Sequence, residues 1–141
     1  MDSLQRAELM ARLNRDATLI AARFGLRYRA IEPERPRVKR RYGVCYRDGT
    51  IRIRLAHVVT GKPLRYSSLV ATLCHELAHL RHFDHSPRFR SFNQRVLEWA
   101  RRAGIYRPRA EREAPITAPA RPFAPTATRS PEAPRQLTLF G

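Results

Sequence analysis

Acidic residues are scarce in this sequence: 12 Asp and Glu stand against 28 Lys and Arg in 141 residues, a formal net charge of +16. Such a surplus implies either an anionic partner, nucleic acid foremost, or a solvated surface in an arginine-rich proteome, and no DNA- or RNA-binding motif accompanies it. Cysteine is nearly absent. Cys45 and Cys74 form no CxxC pair, which excludes a disulfide framework, and Cys74 reads as a small packing residue on a helix. No apolar run approaches the length of a membrane span, and no apolar segment with a small-residue cleavage site opens the chain. These absences lead to the expectation of a cytoplasmic protein with no membrane partner, associated with the nucleoid if the charge serves DNA. The length leaves room for one domain and a tail.

Histidine is also rare, yet four of the five fall between His75 and His85, in HELAHLRHFDH. The stretch contains His-Glu-x-x-His. Residues four apart share a helix face, so His75 and His79 can direct imidazoles at one metal ion. Glu76, about 100° round the helix from His75, reaches the solvent ligand of that ion, the position of a general base in a zinc hydrolase. The flanks support this. Leu69, Leu73, Leu77 and Leu80 make one apolar face, whereas His75, His79 and His82 lie on the other. A structural histidine explains one such residue, not three on one stripe beside a glutamate.

His82 is on the correct face but about 10 Å along the axis from His75. His85 is better placed as third ligand. Phe83-Asp84 can turn the chain, and Ser86-Pro87 starts a new helix as N-cap and first residue. Three protein ligands leave a fourth position open, the catalytic rather than the structural pattern. Tyr66 and His82 are candidates for a donor to the oxyanion.

Elsewhere, apolar residues at spacings of three and four predict a helix over 3–24, with Asp2 and Gln5 as capping box and Gly25 as stop. A short strand is expected over Leu26–Ile31, then a basic, proline-interrupted loop, EPERPRVKRR, over 32–41. Asp48-Gly49 marks a hairpin whose second strand, IRIRL, alternates and is half-buried. A strand so close ahead of the histidine helix can take an extended peptide on its free edge. The histidine helix is expected over 66–82 and a last helix over 87–102, burying Phe89, Phe92, Val96 and Trp99.

Composition changes after Tyr106. Seven of the eleven prolines lie between Pro108 and Pro134, so residues 107–135 read as an extended linker too poor in apolar residues to fold. The chain then ends RQLTLFG, apolar anchors on a flexible tether, the usual form of a docking motif.

The stretch from Arg41 to Phe89, with RYGVC before a hairpin, IRIRL, and CHELAHLRHFDHSPRF, resembles the SprT-like and YgjP-like zinc metallopeptidases. The short gap between His79 and His85, and HSPRF, are most similar to the YgjP branch. The resemblance implies an α+β minimal zincin over residues 1–106, a small antiparallel sheet carrying the histidine helix between flanking helices. It implies one Zn²⁺ per chain on His75, His79 and His85, with Glu76 as base. Tyr42 and Val44 stand where the family commonly has tryptophan and serine, and Arg90 where it has an aromatic residue. The segment Gln136-Leu137-Thr138-Leu139-Phe140 resembles the pentapeptide by which bacterial proteins bind the replicative sliding clamp. That resemblance implies a polar subsite for Gln136 and an apolar pocket for Leu139 and Phe140. The combined expectation is a zinc metallopeptidase, brought to DNA by the clamp, that cleaves proteins trapped there as SprT-like enzymes do. The alternatives are a basic DNA-binding or adaptor protein with a structural metal, and a zinc hydrolase of a non-peptide substrate.

Overall fold

The first helix, α1 (Ser3–Phe24), is fixed at both ends by local hydrogen bonds. Asp2 Oδ1 accepts from Gln5 N at 2.7 Å while Gln5 Oε1 accepts from Asp2 N at 3.0 Å, the reciprocal box its sequence predicts. Gly25 closes the other end at φ 67°, a conformation that a side chain would strain. In the computed structural model, which describes residues 1–112, Leu13, Ala17, Ile20 and Phe24 form the buried face of α1.

Three short strands follow: β1 (Ala30–Pro33), β2 (Gly43–Cys45) and β3 (Thr50–Ile53). β1 begins four residues later than expected. Leu26 N donates to Ala21 O as part of the cap of α1, and strand pairing starts only at Ala30↔Thr50. Pro33 ends β1 on the sheet margin, where a missing N–H costs no ladder bond. The Asp48-Gly49 hairpin joins β2 antiparallel to β3, as expected, but β1 lies parallel to β3 on its other side. The sheet is therefore mixed rather than wholly antiparallel, in the order β1-β3-β2. It follows that the IRIRL strand, β3, has both sides occupied; the sheet edges belong to β1 and β2, and β2 is the edge strand that packs against α2.

The next helix, α2 (Tyr66–His79), sets Leu69, Val70, Leu73 and Leu77 against α1 and the sheet. It stops three residues short of the expected His82, as Leu80 and Arg81 N–H groups shift to carbonyls three residues back. α3 (Pro87–Arg102) starts where the Ser86-Pro87 signal places it, with Ser86 Oγ accepting from Phe89 N at 3.4 Å. Phe89, Phe92, Val96 and Ala100 pack toward α1 and α2. Within the stretch expected as linker, Pro108–Arg112 form a helical turn, α4, against α2.

Candidate metal centre

One face of α2 and the turn into α3 bring three imidazoles together. His75 and His79 stand one turn apart on α2, and His85 comes back from the α2–α3 turn. One nitrogen of each lies within 4.8 Å of the others. His75 Nε2 and His85 Nε2 are 3.2 Å apart. Two nitrogens held about 2.0–2.1 Å from a tetrahedral zinc ion would be roughly 3.3 Å apart, so the donor pair fits such an ion without rearrangement. His79 supports the same fit through its tautomer. Its Nδ1 is 3.1 Å from the carbonyl oxygen of His82, which can only accept, so Nδ1 carries the proton and Nε2 the lone pair. Burial, followed by the neighbouring His79 and His85, holds His75 well below the ordinary histidine range. His85 is also lowered, by burial and by Arg90, against the opposing charge of Asp84. Neutral imidazoles are the form that binds metal.

The turn bearing His85 is tied at several points. Ser86 N donates to Asp84 Oδ1 at 3.3 Å, and Arg90 Nη1 donates to the carbonyl oxygen of His85 at 2.9 Å. Phe89, one helical turn after His85, sits among all three rings. It stacks on His79 at 4.3 Å with a 16° interplanar angle and meets His75 and His85 edge-on at 4.9 Å each. An apolar ring in that place limits how far each imidazole can rotate.

Glu76 is 2% exposed. Its carboxylate reaches toward β2, where Gly43 makes room. A methyl group built on Gly43 would lie 2.7 Å from Thr72 Cγ2 and 3.1 Å from Glu76 Oε2. The strand beside Glu76 is also the sheet edge. Tyr46 N donates to Thr50 O and Arg54 N to Tyr42 O, so alternation turns the peptide groups of Gly43 and Cys45 to the outer side. The Cys45 thiol, buried and near Glu76, is pushed far above the range in which it would ionise.

The two candidate oxyanion donors have other partners. Tyr66 opens α2, nine residues before His75, and its hydroxyl donates to Asp16 Oδ2 at 2.6 Å under the guanidinium of Arg12. The His82 ring packs edge-on against Phe92 at 5.9 Å, and His82 serves the trio through its backbone carbonyl instead. Gly43 and Phe89 were not singled out from sequence as site residues. The glycine of RYGVC and the phenylalanine of HSPRF were the available signals. The docking segment Gln136, Leu137, Leu139 and Phe140 lies outside the described residues. No helix among the described residues is long and apolar enough to cross a membrane.

Comparison with known proteins bears on the family and the fold. The profile of the YgjP-like metallopeptidase domain matches residues 1–104. No curated protein matches. Two crystal structures of Wss1 from Saccharomyces cerevisiae share the fold. The mutant form has a TM-score of 0.67 and 17% identity over 74% of this chain and 87% of its own. The other has a TM-score of 0.65 and 18% identity over 72% and 84%.

Proposed function

The chain belongs to the YgjP-like metallopeptidase family, and from that membership we propose a zinc-dependent endopeptidase that cleaves proteins trapped on or crosslinked to DNA. The observation that carries the reading is the convergence of three imidazoles with a buried glutamate beside an edge strand of the sheet. His75, His79 and His85 would hold the ion. Zinc bound there would supply an electrophile that acidifies a water molecule and polarises a carbonyl. The remaining work belongs to side chains and backbone of this chain. Glu76 takes the proton of the attacking water as the new C–O bond forms, then returns it to the leaving nitrogen as the C–N bond breaks. The outward peptide group of Cys45 on β2 helps hold an extended substrate by strand addition, which sets its scissile amide near Glu76.

The DNA association has weaker and separate support, from the net charge of +16. Recruitment by the sliding clamp is supported by the resemblance of Gln136 to Phe140 alone. A tether would raise the local enzyme concentration without any change at the reaction site.

One assay tests these parts together: zinc-loaded full-length chain, a DNA-crosslinked protein, and clamp loaded or omitted. The Glu76→Gln chain should keep its zinc and lose about 10²- to 10⁴-fold in rate, the usual contribution of a general base. Leu139→Ala/Phe140→Ala should keep the basal rate and lose only the clamp-dependent gain. Cleavage by Glu76→Gln at the wild-type rate would refute the assigned base, and an unchanged clamp effect would refute the docking motif.

A further inference from the structure

Residues of α3 and of the end of α1 line an open concavity of about 570 Å³, among them Arg23, Phe24, Arg90, Arg95, Trp99 and Arg102. Phe24 and Trp99 give it an aromatic surface, their rings meeting edge-on at 6.1 Å, with the buried Phe92 edge-on to Phe24 at 5.6 Å beneath. The Arg23 guanidinium carbon is 5.0 Å from the Phe24 ring centre, and that of Arg95 is 5.7 Å from the centre of Phe92, whose ring Arg81 approaches more closely at 4.5 Å. Stacking on a ring orients a guanidinium while leaving its in-plane N–H groups for an anion. Glu98 also lines the cavity, but its carboxylate is 3.3 Å from Arg101. Among the described residues, no carboxylate pairs with Arg23, Arg95 or Arg102.

We propose that this cavity binds a single nucleic-acid strand, with Arg23, Arg95 and Arg102 on successive phosphates and an unpaired base stacked on Trp99. Oriented cations beside an aromatic surface are what sequence-tolerant single-strand binding requires, and a base locked in a duplex stack cannot enter such a concavity. The site also adjoins the candidate metal centre. Arg90 lines the cavity and donates to the carbonyl oxygen of His85, so a strand lying here passes beside the turn that carries the third imidazole. This inference rests on the proposed action at DNA and adds which surface holds it and in what strand state.

The test uses the full-length zinc-loaded chain and a fluorescein-labelled oligothymidylate, titrated between 50 and 200 mM salt. Three phosphate contacts predict a log–log slope of about −2 on single strands, or about a twenty-fold loss of affinity over that range. Trp99 is the one tryptophan of the chain, so quenching of its fluorescence on binding reports stacking directly. Arg95→Gln/Arg102→Gln, both exposed positions, should make the slope about 1.4 shallower and weaken binding at low salt. Arg37→Gln/Lys39→Gln/Arg40→Gln in the basic loop should change it far less.

Four results would overturn the proposal: groove variants that bind as the wild type does, loss confined to the loop variant, duplex bound equally well without quenching, or binding to phosphatidylglycerol vesicles but to no oligonucleotide. Cleavage of a free unfolded protein, measured on the same variants without DNA, tests the peptidase reading separately. It should survive the groove substitutions and be lost in Glu76→Gln.

Discussion

At Gly43 a single hydrogen atom separates a seated Glu76 from a displaced one. The space a Cβ would need is already held by Thr72 Cγ2 at 2.7 Å, closer than packed carbon atoms allow, with Glu76 Oε2 behind it at 3.1 Å. Gly43→Ala should therefore bind zinc nearly as the wild type does but lose at least about ten-fold in kcat, since a small misplacement of a catalytic group is that costly. Removing Cγ2 in Gly43→Ala/Thr72→Ser should restore part of the rate. Full activity in the single variant would show that Glu76 does not depend on this contact. The dependence was hidden in the sequence because Gly43 and Glu76 are brought together only by folding. The imidazole trio was legible for the opposite reason. His75 and His79 are fixed by helix period, and His85 by a turn whose Ser86-Pro87 exit is encoded locally. Phe89 was legible as a buried residue of α3 but not as the ring among the ligands, which depends on how α3 crosses α2.

Elements divide in the same way, between those specified by neighbours in sequence and those specified by partners in space. α1 and α3 lie where their caps and apolar spacing put them. The late start of β1 and the β1-β3-β2 order depend on which strand meets which, a non-local outcome that alternation does not encode. Tyr66 shows what such packing does to a functional assignment. It is the first residue of α2, and its hydroxyl donates to Asp16 on α1 while Arg12 covers its ring at 3.7 Å. Burial, followed by the bond to Asp16, pushes this phenol well above its ordinary range, so it stays protonated as a donor. The contact joins two helices. Tyr66→Phe should lose about 1.5–3 kcal/mol, the worth of a hydrogen bond to a charged group, seen as a fall in Tm of several degrees. Its kcat on a peptide should stay within two-fold of wild type. A large drop in kcat with unchanged Tm would return Tyr66 to the list of catalytic donors.

For the molecule as a whole, the question is whether the metal centre holds the fold together or is carried by a fold that stands without it. The core runs from Leu13 and Ile20 on α1, through Ile51 and Ile53 on β3, to Leu73 and Leu77 on α2 and Phe92 and Val96 on α3. The three imidazoles border that cluster from the far side of α2 and the turn beyond it: His79, 1% exposed, stacks on Phe89, while the apolar contacts from α1 through the sheet to α3 do not run through the rings. An adaptor with a structural metal would show the reverse dependence, since small domains built around zinc unfold when it is removed. Chelation should therefore abolish peptide cleavage while far-UV circular dichroism at 25 °C keeps nearly all its helical signal. Zinc present at about a hundred times its Kd contributes roughly 2.7 kcal/mol to the folded state, so Tm should fall by on the order of 10 °C and recover when zinc is restored. The α2–α3 turn should be the part most loosened, with amide exchange rising at His82 to Ser86 before it rises in the middle of α2. Cooperative loss of helix on chelation at 25 °C would place the ion among the elements that hold the fold, and the hydrolytic reading would then lose its structural basis.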